Sequence, residues 1–268
     1  MKKTLILAAS ALAFAIAAPQ AMAAKASKVK IGFVTTLSGG AGVIGKDMRQ
    51  SVEIALDHLG GKMGGIPVEM IFEDDQVKPE VGKQKTEKLL SKDKVDFMSG
   101  FIWSHVALAS RNSIVKSGKI WVISNAGTSK IAGNLCHQNI FSTAWQNDQV
   151  PMAMGEVLNK RGVKSLYIVA PNYAAGRDMV AGVERTFKGK ILGKDLTKWP
   201  SQLDFSAELA KARASKADGV FIFYPGRATN AFMRQYAQAG MTETPLYSVF
   251  SVDSLSLPKL QEAKLTNV

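Results

Sequence analysis

Ile120-Trp121-Val122-Ile123-Ser124-Asn125-Ala126-Gly127-Thr128-Ser129 is the stretch from which the fold can be read. Its first half is an apolar run long enough for a buried strand and too short for a helix. Its second half turns abruptly to small polar residues. Small side chains at the carboxyl end of a strand leave backbone N–H and C=O groups within reach, and Thr128 and Ser129 add hydroxyls. In open α/β sheets ligands sit in the crevice at such strand ends. The stretch therefore predicts the floor of a site for a small polar head group, the alternative being a polar turn after a core strand.

The same rhythm extends in both directions. Before it, strands are expected at Val29–Thr35, Ile66–Phe72 and Val95–Met98. Helices are expected at Lys46–Leu59, from Pro79 to Lys92, and at His105–Ser117. After a loop from Asn125 to Asn139, helices are expected at Asp148–Arg161, Ala175–Phe187, Phe205–Ala214 and Thr229–Ala239. They alternate with strands at Leu166–Ala170, Ile191–Leu196, Val220–Phe223 and Leu246–Phe250, and Asp148 reads as an N-cap. Strand–helix alternation implies parallel, doubly wound sheets. With 268 residues there is room for two such lobes, and the crossing is expected near Thr143–Asp148, giving lobes of 24–145 and 146–268. The second lobe's strands also run into loops with binding chemistry: Pro171-Asn172-Tyr173, Tyr224-Pro225-Gly226-Arg227 and Ser251-Val252-Asp253. Two sheets facing each other would bring all these loops to one cleft. Of the aromatic residues in or just after strands, Phe33, Trp121, Tyr224 and Phe250 are expected in the core, while Trp103 and Tyr173 read as pocket walls.

Residues 1–23 read as a signal peptide. Lys2 and Lys3 precede an apolar run from Leu5 to Ala18, Pro19 breaks it, and Ala21-Met22-Ala23 offers small residues for cleavage after Ala23. The run is short of a membrane span, and export to the periplasm is the expectation. The net charge of +12 raises the possibility of nucleic acid. However, the 34 Lys and Arg are scattered, without a run or an interleaved aromatic stripe, so a basic soluble surface is expected and no nucleic-acid partner. Three His and one Cys exclude a Cys/His zinc cluster and an intrachain disulfide. Cys136 is expected to be buried.

Gly40-Ala41-Gly42-Val43-Ile44-Gly45 matches the dinucleotide fingerprint, after a strand and before a helix. The acids that follow, Asp74 and Asp75, fall too far downstream to reach a ribose. Asp47 after Lys46 replaces the hydroxyl a phosphate-binding loop requires. What remains is a glycine loop at a helix N-terminus suited to one anionic oxygen. There is no G-x-S-x-G. His58 and His137 read as surface residues, and Ser104–His105 lacks an orienting acid. The residues call for no enzyme, no cofactor and no metal.

Several motifs, in order, carry a resemblance: Leu37-Ser38-Gly39 through Gly45; Ser99-Gly100 through Ser104; Ile123-Ser124-Asn125-Ala126-Gly127-Thr128; Trp145-Gln146-Asn147-Asp148-Gln149; Asn172-Tyr173 with Gly176-Arg177-Asp178; and Tyr224-Pro225-Gly226. From Val29 to Val268 the chain resembles the extracytoplasmic solute-binding proteins of the leucine/isoleucine/valine-binding family, which serve importers driven by ATP hydrolysis. The resemblance implies the type I periplasmic binding fold, with two Rossmann-like lobes and a ligand cleft between them. It also implies a monomer that captures a small carboxylate, a hydrophobic amino acid or an aromatic acid, and delivers it to an inner-membrane permease; the alternatives are a receptor-linked sensor and, ranked below it, a secreted oxidoreductase using a nucleotide cofactor. By the same resemblance Ser104 and Thr128 would offer hydroxyls, and Ala126 and Gly127 backbone groups, to the ligand. Tyr173 matches a ligand-facing tyrosine, Ile44 the lid position, and Asp253 lies near an acid that pairs an ammonium. Trp103, Asn125 and Gly226 complete the expected site. Asn-Ala-Gly-Thr and Trp-Gln-Asn-Asp-Gln are closer to the branch that binds aromatic acids. Members of the family run on past the point matching Val268 and return to the first lobe, so the second half is expected to be incomplete here.

Overall fold

The computed structural model describes residues 28–252 and 256–268; the leader expected over 1–23, and Asp253, lie outside the described residues. The first sheet is built from β1 (Val29–Thr35), β2 (Lys62–Met63), β3 (Ile66–Asp74), β4 (Phe97–Gly100), β5 (Ile120–Ile123) and β6 (Ile140–Ser142). Its order is β2-β3-β1-β4-β5-β6. All neighbours are parallel except the β2–β3 pair. Its helices are α1 (Gly42–His58), α2 (Pro79–Ser91), α3 (Ser104–Lys116) and the short α4 (Ser129–Ala132). Leu89 of α2 and Val106 and Ile114 of α3 pack with Val34, Met98, Trp121 and Ile123, forming the core beneath this sheet.

The second sheet is fully parallel and contains β7 (Ser165–Pro171), β8 (Lys190–Thr197), β9 (Gly219–Ile222) and β10 (Leu246–Ser248), in the order β10-β9-β7-β8. Helices α5 (Gln149–Lys160), α6 (Ala174–Thr186), α7 (Ser206–Ser215), α8 (Arg227–Gln238) and α9 (Leu257–Glu262) accompany it. Phe205, Leu209, Phe232 and Tyr236 close one apolar cluster against Tyr167, Val169, Val220 and Ile222. The remaining inward residues, including Leu158, Ile168, Met179, Val183 and Phe223, join the cluster of the first sheet, so apolar packing is continuous between the two halves.

Both sheets reverse direction of growth once. In the first, β1 has β3 on one side and β4 on the other; in the second, β7 lies between β8 and β9. The crevice at the carboxyl ends of strands flanking such a reversal is where open α/β sheets bind ligands. Here those ends lead into Thr36–Ser38, Phe101–Ser104, Asn172–Ala174 and Phe223–Gly226.

Several local expectations are corrected. α1 begins at Gly42, inside the glycine loop, not at Lys46. The loop can curl into a helix because Gly42 and Gly45 lie where a Cβ would run into the Leu37 and Thr36 carbonyls. β4 runs to Gly100 because its pairing with β1 sets Val34 against Gly100. The expected 125–139 loop holds α4, and β6 follows it, its Ile140 paired with Trp121. Asp148 occupies the N-cap position of α5 without capping it. Its carboxylate instead takes Gln146 Nε2 at 2.6 Å and an ion pair with Arg185 at 3.1 Å. Cys136 is exposed, not buried, and Phe250 is 41% exposed, just past the end of β10.

Candidate functional site

Helices α1, α3, α6 and α8 all begin at the carboxyl edge of their sheets. The residues at their N-caps are Ala41, Trp103, Tyr173 and Gly226, and none makes a side-chain cap. Ser, Thr, Asp or Asn is the usual occupant, because its oxygen satisfies a free N–H of the first turn. Four helix ends without a side-chain cap thus turn the positive end of the helix dipole toward the same space.

That space holds two neighbouring chambers that share part of their lining. The inner chamber, of about 240 Å³, lies among Trp103, Ser104, Asn125, Tyr173, Phe223 and Phe250, and none of the described residues that line it is charged. The outer chamber, of about 320 Å³, lies among Gly40, Lys78, Trp199, Leu203, Gly226 and Arg227. Ile44, Trp103 and Pro225 border both. The walls are interlocking rings. Tyr173 stacks on Trp199 with centroids 5.3 Å apart, Trp103 lies 5.4 Å from Trp199, and Trp145 stacks on Phe250 at 4.6 Å. All fall within the range where aromatic pairs add to burial.

Four polar side chains line the inner chamber: Ser104, Asn125, Asn147 and Tyr173. Ser104 Oγ accepts from Asn147 Nδ2 at 3.0 Å, which leaves its own hydrogen free to donate. The Asn125 amide and the Tyr173 hydroxyl have no hydrogen-bond partner among the described residues. Burial pushes the Tyr173 phenol well above its ordinary range, with the Asp178 charge adding to the effect, so it stays a donor at all physiological pH. Behind the shared lining, Trp103 Nε1 donates to Thr36 Oγ1 at 2.7 Å, and Thr36 donates in turn to Asp75. Asp75 is fully buried, and desolvation pushes its carboxyl up despite the Thr36 and Val77 hydrogen bonds. Asp74 Oδ1 accepts the Leu37 and Gln76 N–H groups at 2.9 and 3.0 Å. The two acids that follow the glycine loop therefore brace the cleft wall.

Of the residues expected from sequence, Trp103, Ser104, Asn125, Tyr173 and Ile44 converge on the inner chamber, and Gly226 lines the outer one. Ala126, Gly127 and Thr128 line a separate hollow of about 400 Å³ with Cys136, Phe141, Trp145 and Gln149. Thr128 Oγ1 is buried there without a partner. Gly127 is a glycine because a Cβ would run into the Trp145 carbonyl oxygen, and its own carbonyl accepts the Asn147 N–H at 2.7 Å. Trp145, Asn147, Met179, Trp199 and Phe223 also line the cleft. None was singled out from sequence as a site residue, and the one signal for Asn147 was its place in the Trp-Gln-Asn-Asp-Gln motif.

The two halves touch through more than rings. Asp178 on α6 accepts the Ser129 N–H at 3.1 Å, the Ser129 hydroxyl at 2.8 Å and Asn147 Nδ2 at 3.1 Å. A carboxylate from the second sheet's helix thereby caps α4 of the first. Among the described residues, no group of three or more His, Cys, Asp or Glu could hold a metal, and no helix is long and apolar enough to cross a membrane.

The chain is similar to known proteins along most of its length. A Leu/Ile/Val-binding protein homologue of Brucella abortus is 28% identical over 264 residues, covering 94% of this chain and 66% of the relative. An ABC-transporter solute-binding protein of R. palustris, solved in complex with benzoate, is 29% identical with a TM-score of 0.82; the match covers 87% of this chain and 65% of that one. A solute-binding protein of Rhodopseudomonas palustris HaA2, in complex with p-hydroxybenzoic acid, is 25% identical with a TM-score of 0.83, over 88% and 66%. The chain thus spans about two thirds of the length of these relatives. Residues 28–268 match the family described as periplasmic binding protein, with the type I fold of those neighbours, and the chain belongs to that family.

Proposed function

We propose that this chain is the solute-binding part of an importer driven by ATP hydrolysis, and that its ligand is a small aromatic carboxylate. The observation that carries this reading is the inner chamber itself. Ser104, Asn125 and Tyr173 offer three donors to one carboxylate inside an aromatic wall, with the uncapped ends of α3 and α6 behind them. Hydrogen bonds to a charged group are worth about 1.5–3 kcal/mol each. Three of them plus ring burial reach the ~8 kcal/mol of a micromolar ligand after ordering costs. The benzoate and p-hydroxybenzoate bound by the R. palustris neighbours have this chemistry. An α-amino acid would need an anion for its ammonium. None lines the described chamber, and Asp178 is already engaged by Ser129 and Asn147.

In this reading residues up to about 145 form one lobe and those from 146 a second. Closure of the two on the ligand presents a surface to a membrane permease in the periplasm, with no catalysis. Isothermal titration of the purified protein tests the ligand. Benzoate and 4-hydroxybenzoate are expected to bind in the micromolar range, and leucine and phenylalanine more weakly or not at all. Ser104→Ala and Tyr173→Phe should each weaken benzoate about tenfold, the value of one charge-assisted bond. Tight leucine binding with silent aromatic acids would replace the ligand assignment with that of a hydrophobic amino acid.

A further inference from the structure

The outer chamber differs from the inner one in a way that single-ring acids leave unused. Lys78 and Arg227 line it, and no acid does. Arg227 opens α8 from the second sheet yet reaches across to the first, its guanidinium carbon lying 3.1 Å from where a Cβ on Gly40 would be. Any side chain at position 40 would displace it. Neither cation has a hydrogen-bond or ion-pair partner among the described residues, and the nearby acids are committed elsewhere: Asp74 to Leu37 and Gln76, Asp75 to Thr36 and Val77. Lys78 follows Gln76 and Val77, both held at positive φ, 53° and 64°. A β-branched residue pays for that conformation, and here the Asp74 and Asp75 hydrogen bonds hold the turn that carries Lys78 to the chamber. A guanidinium with free donors is suited to gripping a carboxylate with two parallel bonds.

Resting on the aromatic-acid reading above, we propose that the outer chamber is a second anion subsite, and that the protein takes rod-shaped aromatic dicarboxylates. One carboxylate sits at Ser104, Asn125 and Tyr173. The ring or its unsaturated tail spans from one chamber to the other beside Ile44, Trp103 and Pro225, the residues that border both. The far carboxylate meets Arg227 and Lys78.

Isothermal titration with benzoate, cinnamate, terephthalate and 4-carboxycinnamate, each at low and high salt, tests this. At low salt 4-carboxycinnamate is expected to bind at least about tenfold tighter than cinnamate, with the advantage shrinking as salt rises. Arg227→Gln should erase that advantage, weakening the dianion far more than cinnamate, Arg227→Lys should recover part of it, and Lys78→Gln should reduce it. Benzoate and cinnamate binding with no gain for the dianions, or an Arg227→Gln loss equal for monoanion and dianion, overturns the subsite and leaves the aromatic-acid reading standing. No binding by any of the four overturns both.

Discussion

Trp103 borders both chambers, and what fixes it is a relay of buried polar groups: Trp103 Nε1 to Thr36, Thr36 to Asp75. Replacing Thr36 by Val keeps the volume but strands a buried indole N–H and leaves Asp75 Oδ1 with the Val77 N–H alone. A loss of about 1–3 kcal/mol is expected in urea unfolding, with weaker ligand binding as the indole shifts. Asp75 gives a pH test. Its native carboxyl is raised by desolvation, so the folded state holds its proton more tightly than the unfolded chain does. The stability attached to that proton is complete below the unfolded pKa and is lost as pH climbs toward the folded one. Asp75→Asn should therefore gain on the native protein in unfolding free energy as pH goes from 4 to 8; a constant difference would contradict it. At this scale the sequence was uneven. Ser104, Trp103 and Tyr173 could be picked out because they stand at strand–helix junctions. Trp199 and Phe223 could not, because their meeting with Tyr173 depends on how two sheets are set against each other.

Helices carry the next level. α4 is too short to be stable alone, and Asp178 of α6 satisfies its first N–H from across the cleft. Asp178→Asn keeps one carbonyl acceptor but loses the charge. The expected results are a larger radius of gyration by X-ray scattering for the ligand-free protein and about tenfold weaker benzoate binding. Unchanged scattering would remove Asp178 from the closure. Element type was readable through most of the chain, since long apolar runs and helical spacing are strong signals. The failures lie where tertiary pairing decides. β6 is three residues, too few for a pattern, and exists through Trp121. α1 starts early because the strand end behind it leaves space only for glycine at positions 42 and 45.

At the level of the whole molecule, the two faces of the first sheet are unequal. α2 and α3 cover one. On the other, Ile31, Phe33, Met70, Phe97 and Val122 border an apolar hollow of about 480 Å³, with Val52 from α1 beside it. A patch of this kind invites association. An environment-sensitive hydrophobic dye is expected to bind the protein, and Phe97→Lys should reduce the signal and any concentration-dependent sedimentation. The doubly wound plan was legible because parallel strands buried on both sides read as apolar runs. The inequality of the faces was not, since alternation along a strand does not reveal what lies above it.

Of the four tryptophans, Trp103, Trp145 and Trp199 line the cleft, while Trp121 is packed against Phe101 in the core. Three of the four indoles thus lie where a guest would sit, with one shielded indole as internal reference. The proposed occupancy therefore carries a label-free optical test: an entering aromatic acid is expected to change the emission spectrum without any dye attached, and mutating Trp121 alone is expected to leave that response intact.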